Sequence, residues 1–399
     1  MPFPSRLPIP DEVLAIAETL EGEGYETWCV GGAVRDNLLG LANKDFDMAT
    51  AARPEEIRRL FRRSIPIGVE HGTIAVLDRH NQPHEVTTFR QDVKTDGRHA
   101  VVEFGVSLDV DLSRRDFTIN AIAYHPLKHE WRDPFDGHGD LGAGVIRAVG
   151  EPERRFQEDY LRILRALRFA ARFRFLVERA TWEAAKANVA GLPHLSAERV
   201  RDEWLKGLDG AQQPSELVEL WAAVGGLRAW LPELVERAAG NERLEALDRF
   251  EPRDAILMTA YLSDDPEATL RRLRCSNAEI DRGWRVGEFR DAYPDPEVPV
   301  EVRRWISDAG PAVDDLVTIA QAEGHGARLA EAVKAIRASG APLSVTDLAV
   351  NGKDLMAAGV PAGPQMGETL RSLLERVLDD PALNTKEALL AVVREGTGS

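Results

Sequence analysis

The 399-residue sequence is short of cysteine, short of positive charge and without long apolar runs, and each shortage excludes a class of protein. Two cysteines, Cys29 and Cys275, cannot build a disulfide framework or a four-thiolate zinc site. No stretch approaches 18 apolar residues, and the opening MPFPSRLPIP lacks an apolar signal core, so neither a membrane span nor a leader is expected. A reducing cytoplasm is the expected location. Lys and Arg number 50 against 66 Asp and Glu, a formal charge of −16. That balance excludes nucleic-acid binding through overall charge, because neutralising phosphates takes Lys and Arg facing the backbone. Any such site has to be a local basic surface on an acidic body. None of the nine histidines is followed by Asp, so no HD phosphohydrolase signature is present.

What remains is the composition of a folded globular protein, 44% hydrophobic with a mean hydropathy of −0.28. Residues 1–145 mix short β-like runs with helices, an α+β organisation. Asp11 to Leu20 has helical spacing with acidic residues in its first turn, and Tyr25 to Val30 reads as a strand running into Gly31-Gly32. Asp45 to Ala49 reads as a second strand, Pro54 opens a helix, and Thr73–Leu77 with Glu85–Phe89 reads as an antiparallel hairpin. From Arg147 onward helical periodicity takes over, as in 155–172, 196–208, 214–223, 326–338, 366–379 and 385–395. The glycine-rich run from Gly139 to Gly144, with Gly150 beyond it, marks the expected domain boundary.

The chemistry-bearing residues gather in three places. In the first, Gly31-Gly32-Ala33-Val34-Arg35-Asp36 precedes Asp45-Phe46-Asp47. Alternation along a strand puts Asp45 and Asp47 on one side and Phe46 in the core. Two carboxylates so close repel each other unless a cation lies between them, and Mg2+ takes one or two carboxylates, completing its shell with water and phosphate oxygens. Paired glycines running into a helix let backbone N–H groups approach phosphate, and Arg35 can add a charged contact. A solvated strand face and an ordinary turn are the plain alternatives for either motif alone. Together they point to a nucleoside triphosphate and metal site. Glu85 fits a third carboxylate and a surface residue equally well.

The second place is Arg114-Arg115-Asp116 before Phe117 to Asn120, where Asp116 is either a helix cap or part of a ribose and phosphate site. The third is Glu158-Asp159 followed by Arg162, Arg165 and Arg168, expected on one helix, with Arg172 and Arg174 beyond. Salt bridges along a helix face are the usual meaning of such spacing, but here arginines outnumber the acids, which points to phosphate recognition. An acceptor Asp159 beside a donor Arg162 can also imitate the pairing edge of a base, accepting C and A while rejecting U and G.

With these motifs the sequence resembles the class II CCA-adding tRNA nucleotidyltransferases, in the family that includes bacterial poly(A) polymerases. The likeness is carried by VGGAVRD (30–36), DFD (45–47), RRDFTINAIA (114–123), DPFDGHGDL (133–141), RFQEDYLRILRALRFAARF (155–173) and AVNGKDLMAAGVPAGPQMG (349–367). The resemblance implies an α+β nucleotidyltransferase head with a mixed or antiparallel sheet at 1–146. A helical neck at 147–209 follows, then a helical body at 210–300 and a helical tail at 301–399. It implies template-independent addition of C, C and A to the 3′ end of tRNA from CTP and ATP, with Mg2+ in a two-metal mechanism and release of pyrophosphate. The implied partners are the acceptor and TψC arm of tRNA and the two nucleotides, with no membrane and no DNA. Carried over by motif, Asp45 and Asp47 are catalytic metal ligands, and Gly31, Gly32, Arg35 and Arg115 contact the nucleotide. Asp116 binds the ribose, Asp159 and Arg162 the base with Glu158 as buttress, and Arg165 and Arg168 the triphosphate. Gln91 to Ala100, with Asp92 and Arg98, resembles the family's flexible loop, whose presence favours complete CCA addition. Partial CC- or A-adding enzymes and poly(A) polymerases are the near alternatives, and a non-catalytic tRNA-binding protein the distant one. Gly352-Lys353-Asp354 lacks the flanking residues of a P-loop and reads as a tight turn.

Overall fold

In the computed structural model, residues 2–68, 72–95, 100–235 and 242–397 are described, with the side chains of 92–101 and 396–397 left aside. The chain forms two compact units, Met1–Val235 and Glu236–Ser399.

In the first unit, α1 (Asp11–Gly22) buries Val13, Ile16, Ala17 and Leu20 at helical spacing and carries Asp11 and Glu12 in its first turn, where the helix dipole favours them. Strand β1 (Thr27–Val30) is buried on both faces and turns through Gly31 into α2 (Gly32–Leu38). Next come β2 (Asp47–Thr50), α3 (Pro54–Leu60), β3 (Ser64–Gly68), β4 (Thr73–Leu77) and β5 (Pro83–Thr88). The expected hairpin is β4 with β5. The strand expected from Asp45 begins at Asp47, so Asp45 lies in the irregular stretch before it, although Asp45 is exposed and Phe46 buried as alternation requires.

Strands β6 (Arg90–Thr95) and β7 (Ala100–Phe104) form a separate antiparallel ribbon. The segment read as a flexible loop is therefore partly a hairpin. Arg98 lies outside the described residues, as does the side chain of Asp92. After α4 (Leu108–Ser113) a single 3-10 turn at Thr118–Asn120 leads to β8 (Ala123–Tyr124) and β9 (Trp131–Arg132). The main sheet has the order β3-β4-β5-β2-β1-β8-β9 and is mixed, with β2 and β5 parallel and every other pair antiparallel. Its core includes Ile16, Leu20, Met48, Ile57, Ile74, Val86 and Phe117.

The glycine-rich run Gly139–Gly144 falls largely in a helix, α5 (Gly137–Ala143). Glycine is needed there for close approach, because a Cβ on Gly137 would fall 2.1 Å from the Thr118 carbonyl oxygen. Thr118 also donates its hydroxyl hydrogen to Asp140 at 2.6 Å, which Arg147 pairs at 3.0 Å. The helix expected over 155–172 is broken in two, α6 (Pro152–Glu158) and α7 (Leu161–Phe173), with Asp159 extended between them at φ −155°. α7 packs against α9 (Ala197–Gly210), which follows α8 (Arg179–Ala187).

The second unit is helical in its described residues. Helix Ala255–Leu262 is buried along its whole length. Leu355, Leu373, Val377 and Leu389 hold the last helices together. Gly352-Lys353-Asp354, read as a tight turn, opens a helix, Gly352–Ala357, under a capping box between Asn351 and Asp354. No helix among the described residues is long and apolar enough to cross a membrane.

Gly137→Ala is expected to destabilise the first unit by about 2 kcal/mol or more, since backbone rather than a movable side chain opposes the new methyl. Denaturant midpoints of the two proteins measure it.

Candidate active site

The site begins where β1 ends. Register sets Val30 opposite Asp47, and Gly31 follows at φ +77°, ψ −137°, a conformation that only glycine adopts without strain. A Cβ on Gly31 would lie 3.4 Å from Nη1 of Arg115 and 3.5 Å from Oδ2 of Asp47, so both side chains close over this residue. In the parallel pair β2–β5, Met48 faces Val86, and one residue back the same register sets Asp47 beside Glu85. Burial pushes the Asp47 carboxyl up to about 6, helped by the negative charges of Glu85 and Asp45 and opposed by Arg115. Among the described residues no three His, Cys, Asp or Glu side chains form a complete metal cage. Asp45 and Asp47, with Glu85 close enough to perturb Asp47, make an open set of hard oxygen donors whose mutual repulsion a divalent cation relieves. That chemistry fits Mg2+, which leaves most of its shell to water and phosphate.

Arg35 is buried, with each nitrogen of its guanidinium making a hydrogen bond. Nε and Nη2 donate to Asp36 at 2.9 and 2.6 Å, and Nη1 donates to Asn120 Oδ1 at 2.5 Å. Asp36 also accepts from Arg172 at 3.0 Å and from Asn43 at 3.1 Å. Asn43 in turn accepts the Asp45 backbone N–H at 3.0 Å, which ties that irregular stretch to α2.

Asp116 caps no α-helix. It accepts from the Phe117 N–H at 2.8 Å, from Asn120 at 2.9 Å and from Arg165 Nε at 2.7 Å. Burial works to raise its pKa, but the Arg165 charge and these hydrogen bonds outweigh it and hold the carboxyl at about 2.

The break at Asp159 rearranges the partners expected of a single helix. Glu158 ends α6 and pairs with Arg162 at 3.1 Å and with Arg155. Asp159 does not pair with Arg162. One oxygen accepts the Leu161 N–H at 3.1 Å and the other accepts from Arg199 of α9 at 2.7 Å. Arg162 is held by Glu158 and by the carbonyls of Arg155 and Arg114, each at 3.2 Å. Arg165 and Arg168, which lack enough acids on their own helix, share Glu203 of α9 at 3.5 and 2.5 Å.

These groups surround one cavity of about 490 Å3. It is lined by eight arginines, Arg35, Arg114, Arg115, Arg162, Arg165, Arg168, Arg172 and Arg199, against three aspartates, Asp47, Asp116 and Asp159. Gly31, Gly32, Asn120 and Phe169 complete most of the rest. A concave, strongly positive cavity with a carboxylate cluster at its edge suits a polyphosphate whose far end carries a hydrogen-bonding base. Of the residues singled out in sequence, Gly31, Gly32, Arg35, Asp47, Arg115, Asp116, Asp159, Arg162, Arg165 and Arg168 line the cavity. Asp45, Glu85 and Glu158 are not among its lining residues. Sequence reasoning missed Arg199 and Glu203, whose only signal was an i,i+4 pair on an ordinary helix.

Residues 27–147 match a recognisable class of fold, the "Poly A polymerase head domain" family. Residues 174–237 match the family described as "Probable RNA and SrmB- binding site of polymerase A", and 299–393 match tRNA nucleotidyltransferase domain 2. The chain is 35% identical to the CCA-adding enzyme of Latilactobacillus sakei, across 96% of this chain and 97% of that one. It is 36% identical to that of Geobacillus stearothermophilus, across 96% of each. The chain belongs to the CCA-adding enzyme family. The crystal structure of the Bacillus stearothermophilus CCA-adding enzyme in complex with CTP matches at a TM-score of 0.80 and 32% identity, over 97% of both chains. The Thermotoga maritima CCA-adding enzyme complexed with tRNA shares the fold at a TM-score of 0.67 and 21% identity, over 96% of this chain and 94% of that one.

Removing Arg165 leaves Asp116 buried without its counter-charge, so Arg165→Met is expected to cost about 1.5–3 kcal/mol at pH 7. The cost should shrink in acid. A depressed carboxylate stabilises the fold above its unfolded pKa near 3.8, and that stability is lost as pH falls toward 2. Melting curves of both proteins between pH 7 and pH 3 check the sign.

Proposed function

We propose that this protein adds CCA to the 3′ end of tRNA from CTP and ATP, without a nucleic-acid template, releasing pyrophosphate. The observation that carries the reading is the single arginine-rich cavity that has Asp47 and Gly31 in its wall together with Asp159 and Arg162. Membership of the CCA-adding family, and likeness to a relative's structure with CTP, support it. We assign the head to 1–146, the neck to 147–209, the body to 210–300 and the tail to 301–399, with body and tail on the tRNA side. The proposed setting is the cytoplasm.

In this reading Asp45 and Asp47 hold Mg2+, with Glu85 adding negative charge beside them. Bound Mg2+ supplies Lewis-acid polarisation of phosphate oxygens and eases ionisation of an attacking hydroxyl. The protein's own share is positioning and charge compensation, which suffice for phosphoryl transfer. Arg115, Arg165 and Arg168 grip the triphosphate, with Gly31 and Gly32 allowing its close approach. Asp116, kept ionised by Arg165, accepts a ribose hydroxyl. Asp159 accepts and Arg162 donates toward the base edge, an order that suits cytosine and adenine and leaves uracil and guanine with unpaired groups. Arg162 shows no partner at its Nε–H among the described residues, and the side chains of Asp159 and Arg162 are not spent on each other.

Purified protein given tRNA lacking CCA should incorporate C from CTP alone and A once C is present. Long A-tracts without C would instead mark a poly(A) polymerase, and no incorporation at all a non-catalytic tRNA binder. Asp45→Ala and Asp47→Asn are expected to lower incorporation by about 10^3-fold or more, with tRNA affinity retained in a filter-binding assay.

Asp47 also predicts a pH dependence. Because its folded pKa is raised to about 6, the protonated fold is favoured, and this stability is lost as pH rises from about 4 through 6. The loss is at most about 3 kcal/mol. Mg2+ should restore the melting temperature above pH 6 and do little at pH 4. Asp47→Asn should remove both effects. A Mg2+ shift of equal size at the two pH values would contradict the assignment.

A further inference from the structure

Arg155 does not line the cavity, yet it holds together the two segments whose relative placement matters there. It is 9% exposed. Its Nη2 donates to the carbonyl oxygens of Arg114 and, at 2.8 Å, Arg115, and its Nη1 donates to Glu158. Its own carbonyl accepts from Arg162 Nη1 at 3.2 Å. Arg162 also donates to the Arg114 carbonyl at 3.2 Å and to Glu158 at 3.1 Å. A closed ring results, in which Arg155, Glu158, Arg162 and the Arg114 carbonyl each meet at least two of the others.

The ring sits at the break between two helices. Asp159 is extended between α6 and α7, so no continuous helical ladder sets the angle between them. Side chains have to set it. A planar guanidinium holds a carboxylate on one nitrogen and two carbonyls on another in a rigid fork, whereas the three N–H groups of an ammonium radiate from a single nitrogen and cannot span the same acceptors. The carbonyls it grips belong to Arg114 and Arg115, and the Arg115 side chain closes over Gly31 beside Asp47. Arg165 and Arg168 are anchored elsewhere, on Asp116 and Glu203.

We propose that Arg155 is a positioning residue for base selection: it pins the Arg114–Arg115 backbone and Glu158 together and so fixes the Arg162 guanidinium at the height where a base edge must meet it. Reading donor against acceptor depends on spacing, and an Arg162 free to move accepts mismatched edges by shifting. Of the three arginines assigned to the triphosphate, Arg165 and Arg168 are anchored separately, so triphosphate binding depends on the pin less than base selection does.

The test compares Arg155→Met and Arg155→Lys with the parent enzyme. The readouts are kcat/KM for CTP and for UTP on tRNA lacking CCA, and inhibition by inorganic tripolyphosphate. In Arg155→Met the preference for CTP over UTP is expected to fall about 10- to 100-fold, with a smaller fall in Arg155→Lys. Tripolyphosphate inhibition is expected to weaken far less than the CTP preference, since Arg165 and Arg168 keep their own anchors. Parent-level preference in Arg155→Met overturns the proposal, as does a parallel loss of tripolyphosphate binding, which marks general collapse of the cavity. Should Arg155→Met fail to melt cooperatively, Arg155→Lys decides, since one ammonium cannot replace the three-way fork, and full preference in that variant is the overturning result. The inference rests on the base-edge reading of Asp159 and Arg162, and Asp159→Ala separates the two. Unchanged preference in Asp159→Ala refutes that reading and the pin with it. Lost preference there with full preference in both Arg155 variants refutes the pin alone.

Discussion

Guanidinium groups gathered around one cavity repel each other, and the first unit is organised to place an acid behind most of them. Asp111 backs Arg114 and Arg115, Asp36 backs Arg35 and Arg172, Asp116 and Glu203 back Arg165, Glu203 backs Arg168, and Glu158 backs Arg162. Several of these acids are themselves almost fully buried, including Asp36, Asp111 and Glu203. Each partner keeps the other from being an uncompensated charge in a low-dielectric place, where loss of either would be costly. The result is a cavity whose surface is positive while its surroundings are close to balanced. An acidic protein can in this way present a local site for polyphosphate.

Charge of the opposite sign is managed differently at the end near β2. Asp47 has burial and two carboxylate neighbours against it and only Arg115 in its favour. Acids are compensated where they anchor arginines, as at Asp116, and left in conflict at Asp47. The two carboxyls fall on opposite sides of the ordinary aspartate range, about 2 and about 6, although both lie in the wall of one cavity.

Much of the fold was legible because local rules decide it. The helical spacing of Val13, Ile16 and Leu20, the alternation around Phe46, and the turn between Leu77 and Pro83 each follow from side-chain period and turn chemistry within a few residues. The local readings departed from the structure where distant packing overrode local pattern. Gly139 to Gly144 reads as a break by composition, but it falls largely in α5, where Gly137 lets the helix pack against the Thr118 carbonyl. The stretch 155–172 has unbroken helical periodicity, yet the chain opens at Asp159, where Arg199 on a separate helix takes its side chain.

The sequence by itself determined which residue types form the site: paired glycines before a D-x-D, an RRD, and an arginine series following Glu158-Asp159. It also determined the strand-and-helix order that brings them near one another, because these follow from spacing along the chain. Only the tertiary structure decided which charges pair. Asp159 turned to Arg199 rather than Arg162, Arg165 found Asp116 and Glu203, and Arg155 reached the backbone of Arg114 and Arg115. Coulombic and hydrogen-bond partners are chosen by distance in space, and residues 40 or more positions apart carry no mark of their meeting until the chain is folded.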